Sequence, residues 1–297
     1  MYAQIESNKR RSWILVTLVM GLLVALGYAV ALVTGYQPQF TMTIAFMISI
    51  VLAMISYYAG DAVALSSAGA HQIERKDNPY YYQLVENLTI TAGMKTMPKL
   101  YVIDDPAINA FATGRDPEHA SIAVTTGALS QLENEELEGV LAHELSHIKN
   151  YDIRLMTIVI VLVGSIALIA DMFRYASWHR GGSDNDSRSN QIAMIIGLVL
   201  IILSPIFAQL IQLAISRRRE YLADASGSML TRYPEGLARA LEKIRDYNQP
   251  MQHRNHATAH LYLESPFRSS STRSLASWFS THPPIEDRIR ILRTMGK

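Results

Sequence analysis

Two uncharged apolar runs near the start of the chain restrict its fold more than any other feature. Trp13–Thr34 and Phe40–Gly60 contain no Asp, Glu, Lys or Arg, and each has the length of about 20 residues that a bilayer core requires. Two later stretches, Met156–Phe173 and Ile192–Ser216, read as a second pair, the one holding Asp171 and the other Pro205, Gln209 and Gln212. A buried hairpin of a soluble domain is the alternative for that pair. Ile158–Ile169 is apolar on every side, however, which a surface helix cannot be. The first run also has features of a signal peptide, with Lys9, Arg10 and Arg11 ahead of it and Ala29-Val30-Ala31 inside it. Its apolar stretch continues past that tripeptide, so an anchor is the better reading.

The positive charges give an orientation. Lys9, Arg10 and Arg11 precede the first run, Arg217, Arg218 and Arg219 follow the fourth, and the Gly35–Gln39 turn has none. In the Arg174–Gln191 loop, three arginines are accompanied by Asp184 and Asp186. Both termini are therefore expected in the cytoplasm. The sequence then predicts a mostly α integral membrane protein with four transmembrane helices and a cytoplasmic α+β domain. Residues 1–60 form the first hairpin and 156–216 the second, and the cytoplasmic domain is split between 61–155 and 217–297.

Only 18% of residues are charged and 49% are hydrophobic, against about 25% charged in soluble domains. A net charge of +1 gives no basic field for nucleic acid. With no cysteine in the chain, any metal must be held by His, Asp or Glu. Tyr80–Met94 has helical character, and Leu100–Ile103 and Ser121–Thr125 read as strands. Between them, Asn109-Ala110-Phe111-Ala112 is a candidate edge strand. Asn134 is expected to cap a helix on which Leu137, Val140, Leu141, Leu145 and Ile148 recur on one face. Pro234 opens another helix, with Leu237, Leu241 and Ile244 aligned. Gln249–Ser280 is irregular, and Pro283 and Pro284 introduce a last helix near Ile285–Leu292.

The capped helix carries His143-Glu144-Leu145-Ser146-His147. Residues four apart share a helix face, so both imidazoles can reach one zinc ion at about 2.0–2.1 Å. Glu144 points to the side of the pair, where it can take a proton from the attacking water. A catalytic zinc needs a third protein ligand, and Glu220 is the best candidate. Asp224, one turn further on, can accept the free N–H of a ligand imidazole. Topology favours this pair of acids, since a hairpin of the third and fourth runs brings its entering and leaving helices together. His147 and Glu220 then stand about 13 Å and 6 Å from the bilayer at about 1.5 Å per residue.

These segments resemble the HtpX family of bacterial membrane zinc metalloproteases, relatives of the eukaryotic CAAX prenyl-protein endopeptidase. The likeness covers the N-terminal span pair, Asn109–Ala112, His143–His147, the second hairpin, Arg219–Asp224 and Thr281–Pro284. It implies that the cytoplasmic α+β domain is a zincin-like metallopeptidase domain, with one Zn2+ held by His143, His147 and Glu220 and with Glu144 catalytic. It also implies a multi-pass protein of the bacterial cytoplasmic membrane that clears damaged membrane proteins under stress. Asn109–Ala112 would bind polypeptide substrate by strand addition, or else form an ordinary loop. His282 is either an oxyanion donor or a turn residue before two prolines. A second metal site at His253, His256 and His260 is disfavoured by their polar surroundings. The competing functions are a metal transporter or sensor and a catalytically silent chaperone. The first should place histidines inside the spans, and the second could dispense with Glu144. Nothing in the sequence indicates an oligomeric state.

Overall fold

The computed structural model describes residues 2–161, 217–247, 251–252, 261–263 and 283–295. Most of the second apolar pair lies outside the described residues, as do His253, His256, His260 and His282. Helices α1 (Tyr2–Thr34) and α2 (Pro38–Tyr58) pack together as a hairpin. Their contact is tight at Gly27, where a Cβ would lie 2.7 Å from Ala45 Cβ and 2.9 Å from the Thr41 carbonyl. Small residues permit such an approach between membrane helices. Ile5–Tyr28 and Pro38–Tyr58 are long and apolar enough to cross a bilayer. The α2 face bearing Phe46, Met47, Val51 and Met54 is exposed. An apolar surface of this extent suits lipid. Helix α1 begins well before Trp13, so its first turns project beyond the apolar run.

From Ala59 the chain enters α3 (Gly60–Ser67), then a four-stranded sheet formed by β1 (Ala70–Gln72), β2 (Lys99–Ile103), β3 (Ala110–Asp116) and β4 (His119–Thr125). The strand order is β1-β2-β4-β3, with β2 and β4 parallel and the other pairs antiparallel. Helix α4 (Pro79–Thr91) joins β1 to β2, and the Asn78 side chain caps it by accepting from the Tyr81 N–H at 3.0 Å. Thr125 does the same for α5 (Thr126–Gln131), accepting from Ala128 N–H at 3.2 Å.

The next helix, α6 (Asn134–Lys149), is central. Its cap is Glu133, not the expected Asn134, which is the first helical residue. The Glu136 carboxylate reaches back to accept the Glu133 N–H at 2.8 Å, a capping-box bond. Asn134 instead accepts a bond from the Tyr80 hydroxyl at 2.7 Å. Leu137, Val140, Leu141, Leu145 and Ile148 are all buried, as their periodicity predicts. They meet the sheet, α4 and α9 (Pro234–Tyr247), whose Leu237, Leu241 and Ile244 are likewise buried. Helix α7 is described over residues 152–161. Helices α8 (Arg217–Thr231) and α10 (Ile285–Met295) complete the layer.

Helices α6 and α9 are in close contact at Gly139, where a Cβ would lie 2.6 Å from the Leu237 nitrogen. Backbone cannot move aside as a side chain can. Gly139→Ala is therefore expected to cost about 1–3 kcal/mol, the usual penalty for overpacking. Thermal unfolding of the detergent-solubilised variant should show a lowered midpoint.

Candidate metal centre

Helices α6 and α8 bring the histidines and Glu220 together because a glycine lets them touch. A Cβ on Gly227 of α8 would lie 2.9 Å from the backbone nitrogen of His143. Glu220 stands two turns before Gly227 on the same face of α8. Its carboxylate therefore reaches α6 where His143 and His147 project. The two Nε2 atoms lie 3.1 Å apart. Glu220 Oε2 is 3.7 Å from His143 Nε2, and Oε1 is 3.6 Å from His147 Nε2. All three residues are buried.

This donor set fits a small divalent cation. Ligands about 2.05 Å from a tetrahedral centre stand about 3.3 Å apart, and the observed 3.1–3.7 Å separations bracket that value. Each Nδ1 faces a carboxylate. Asp224 Oδ1 lies 2.9 Å from His143 Nδ1, and Asp152 Oδ2 lies 3.1 Å from His147 Nδ1. With a carboxylate beside it, each Nδ1 is the nitrogen that carries the proton, which leaves both Nε2 atoms to present lone pairs to a metal at the same point.

The electrostatics agree. Burial by itself would lower His147, but Glu220, Asp152 and Glu144 push it up to about 9. A position that attracts a proton so strongly suits a metal cation as well. His143 is lowered by burial, aided by the neighbouring His147 and Arg288. Burial pushes Glu144 up to about 7, with Glu220 adding to the rise and His147 opposing it. Glu144 lies outside the group of convergent ligand atoms. The Ala112 backbone, close to its carboxylate, acts against burial and lowers it.

Helix α6 packs against β3, which places that strand beside the centre. Thr125 N–H donates to Asn109 C=O at 3.1 Å, so residues 109, 111 and 113 direct their backbone groups at β4. Ala110 and Ala112 direct theirs outward, along the edge of the sheet. In this structure Ala110 C=O accepts from Leu263 N–H at 3.0 Å, and Gly114 N–H donates to the Thr157 hydroxyl at 3.1 Å. The candidate strand Asn109–Ala112 is thus an edge, with Asn109 just ahead of its first residue, and the edge is buried.

Sequence reasoning missed two residues. Asp152 follows His147 by five positions and reads as an ordinary helix-start acid. A ligand histidine needs an acceptor for its second nitrogen, and that rule points to the nearest downstream acid. Arg288 carried no signal at all. It is fully buried in α10 and binds Asp224 in a two-pronged contact, Nε to Oδ2 at 2.9 Å and Nη2 to Oδ1 at 2.7 Å. Burial would raise Asp224, but Arg288 and His143 hold it well below the usual carboxylate range.

A helix-borne His-Glu-x-x-His with an acid from a second helix and a buried glutamate at its side is the machinery of a metal-dependent peptidase. The comparisons specify which. The model for Peptidase family M48 matches residues 75–296. A protein named Protease HtpX homolog from Dictyoglomus turgidum is 46% identical over 301 residues, covering 100% of this chain and 95% of that relative. One from Tropheryma whipplei is 48% identical over 82% of each chain. Another, from Streptococcus uberis, is 43% identical over 99% of this chain and 100% of its own. The crystal structure of S. mikatae Ste24p shares the fold at a TM-score of 0.50 and 17% identity, over 98% of this chain and 67% of that one. The chain belongs to Peptidase family M48 and is a membrane metalloprotease similar to the HtpX proteases. The transporter and chaperone readings are not favoured.

Arg288 offers a test of the His143 side. Removing one partner of a buried charged pair costs about 3–5 kcal/mol, so Arg288→Met should unfold at a markedly lower temperature at pH 7. Asp224 has a depressed folded-state pKa. It stabilises above its unfolded value of about 3.9 and loses that contribution as pH falls through the depressed one. The gap between variant and wild type should therefore narrow as the pH is taken towards 4 and below.

Proposed function

We propose that the chain is a zinc endopeptidase in which His143, His147 and Glu220 hold the metal and Glu144 is the general base. The observation that carries this reading is the convergence of three buried ligand atoms from two helices far apart in sequence, within 4.8 Å of one another. When bound there, zinc would polarise the scissile carbonyl and lower the pKa of an attacking water towards about 7. Glu144, raised to about 7 by burial, can take that water's proton near neutral pH and return it to the departing amine. Asp224 and Asp152 hold the two imidazoles with Nε2 free of protons. Arg288 fixes Asp224 and offsets its charge.

The substrate is a polypeptide in extended form, paired along the outward groups of β3 near Ala112. A strand on that edge would lie beside Glu144, whose carboxylate is close to the Ala112 backbone. Residues 61–155 and 217–297 form one cytoplasmic domain in a bacterial inner membrane, held by hairpins 1–60 and 156–216. The positive charges at Lys9–Arg11 and Arg217–Arg219 support that orientation. Short helical distances from the metal ligands to the apolar runs favour juxtamembrane segments of damaged membrane proteins as substrates.

Two measurements test this reading. Glu144→Gln should keep its zinc, because the ligands are untouched, and lose cleavage of an unfolded reporter. Glu220→Ala should lose most of its zinc by elemental analysis. Cleavage at the wild-type rate by zinc-bound Glu144→Gln would rule out the assigned base. For the substrate class, a flexible cytoplasmic segment can be lifted from its membrane anchor on rigid helical spacers at about 1.5 Å per residue. Cleavage should fall as the spacer lengthens. Undiminished cleavage at several tens of ångströms would contradict the juxtamembrane preference alone.

A further inference from the structure

The bond that orients His147 continues beyond Asp152. Tyr151 adopts a left-handed conformation, with φ 60°, which a residue bearing a side chain takes only when its surroundings enforce it. This turn ends α6 and starts α7, and it leaves Asp152 facing back towards His147. Oδ2 of Asp152 engages His147, while Oδ1 accepts from the side-chain amide of Asn8 at 2.7 Å. The same Asn8 nitrogen donates to the Asn150 carbonyl at 2.9 Å. Both amide hydrogens are thereby used, on acceptors either side of the residue that makes the turn. Reversing the amide would set its oxygen against two acceptor oxygens, so the chemistry fixes its orientation. Asn8 and Asp152 are 1% and 2% exposed.

Asn8 lies on α1, 144 residues upstream of Asp152. Its neighbour Lys9 makes a second contact with the same turn, its ammonium 4.3 Å from the centroid of the Tyr151 ring. The other cation near Asp152, Arg219, stands further off at 3.9 Å. We propose that Asn8 is a positioning residue of the metal centre: acting through Asp152 it fixes the imidazole of His147, so the first turns of the first membrane helix are part of the site. A carboxylate with one oxygen held by an amide and the other by an imidazole cannot rotate away from either. Loss of the amide frees the carboxylate to turn, and the imidazole loses its fixed tautomer and direction. The proposal rests on the assignment of His147 as a metal ligand.

The test is the zinc dissociation constant of the full chain in detergent, measured by competition with a chromogenic chelator. Asn8→Leu, similar in volume but without donors, should weaken zinc about tenfold, the lower end of the range for partners of ligand side chains. Combined with Asp152→Asn it should weaken zinc no further than Asp152→Asn alone, since both act on one interaction. Asn8→Gln, which keeps the amide on a longer arm, should recover part of the loss. Ser12→Ala removes a buried hydroxyl that bonds the Asn8 carbonyl without touching Asp152, and should leave zinc affinity at the wild-type value. Wild-type affinity in folded Asn8→Leu would overturn the proposal, as would losses that multiply in the double variant. Asn8→Ala carries the same comparison if the leucine variant fails to fold. A wild-type chain that takes up no zinc would instead overturn the ligand assignment beneath it.

Discussion

The pairing of each histidine with its own carboxylate is the interaction on which the rest of the site depends. An imidazole can offer either nitrogen as acceptor, and only a fixed partner for one of them decides which. Asp224 takes Nδ1 of His143 and Asp152 takes Nδ1 of His147, at 2.9 and 3.1 Å. Both Nε2 atoms are then directed at one point, with Glu220 opposite. A carboxylate buried in a dry interior is costly unless it is paired and hydrogen-bonded. Arg288 supplies such a partner for Asp224, and Asn8 with Arg219 does so for Asp152. The centre thus draws on α1, α6, the start of α7, α8 and α10, though the proposed ligands occupy only α6 and α8.

This breadth explains what was legible in the sequence and what was not. Features with a local period could be read directly. The apolar runs of α1 and α2, the buried face of α6 and the paired histidines each repeat at a spacing set by helix geometry. Glu220 was singled out by the expectation that the two later apolar runs form a hairpin, and α6 and α8 do pack together. The helix cap was misassigned by one residue, since Asn134 is an intrinsically good cap and the Glu133–Glu136 pair competes for the same job. Arg288 and Asn8 act across long stretches of chain, and neither has a neighbour in sequence that hints at its partner. Asp152 lay within reach of a physical rule, but the left-handed Tyr151 that turns it towards His147 has no composition signature: glycine or asparagine is the residue expected there.

The β3 edge bears on the proposed mode of substrate binding in a comparable way. An antiparallel pair allots every second residue to the outside, so Asn109–Ala112 cannot all face a substrate. Only Ala110 and Ala112 direct backbone groups outward, and Ala112 lies close to the glutamate proposed as base. Such an arrangement favours extended chains over helices, whose backbone groups are already paired.

The central claim is that two imidazoles and one carboxylate, drawn from α6 and α8, bind one zinc ion. X-ray absorption at the zinc edge of the purified, metal-loaded wild-type chain tests it most directly. The account predicts a first shell of about four nitrogen and oxygen atoms near 2.0–2.1 Å, with outer-shell scattering from two imidazole rings. A first shell without imidazole scattering, or with three or more rings, would contradict it.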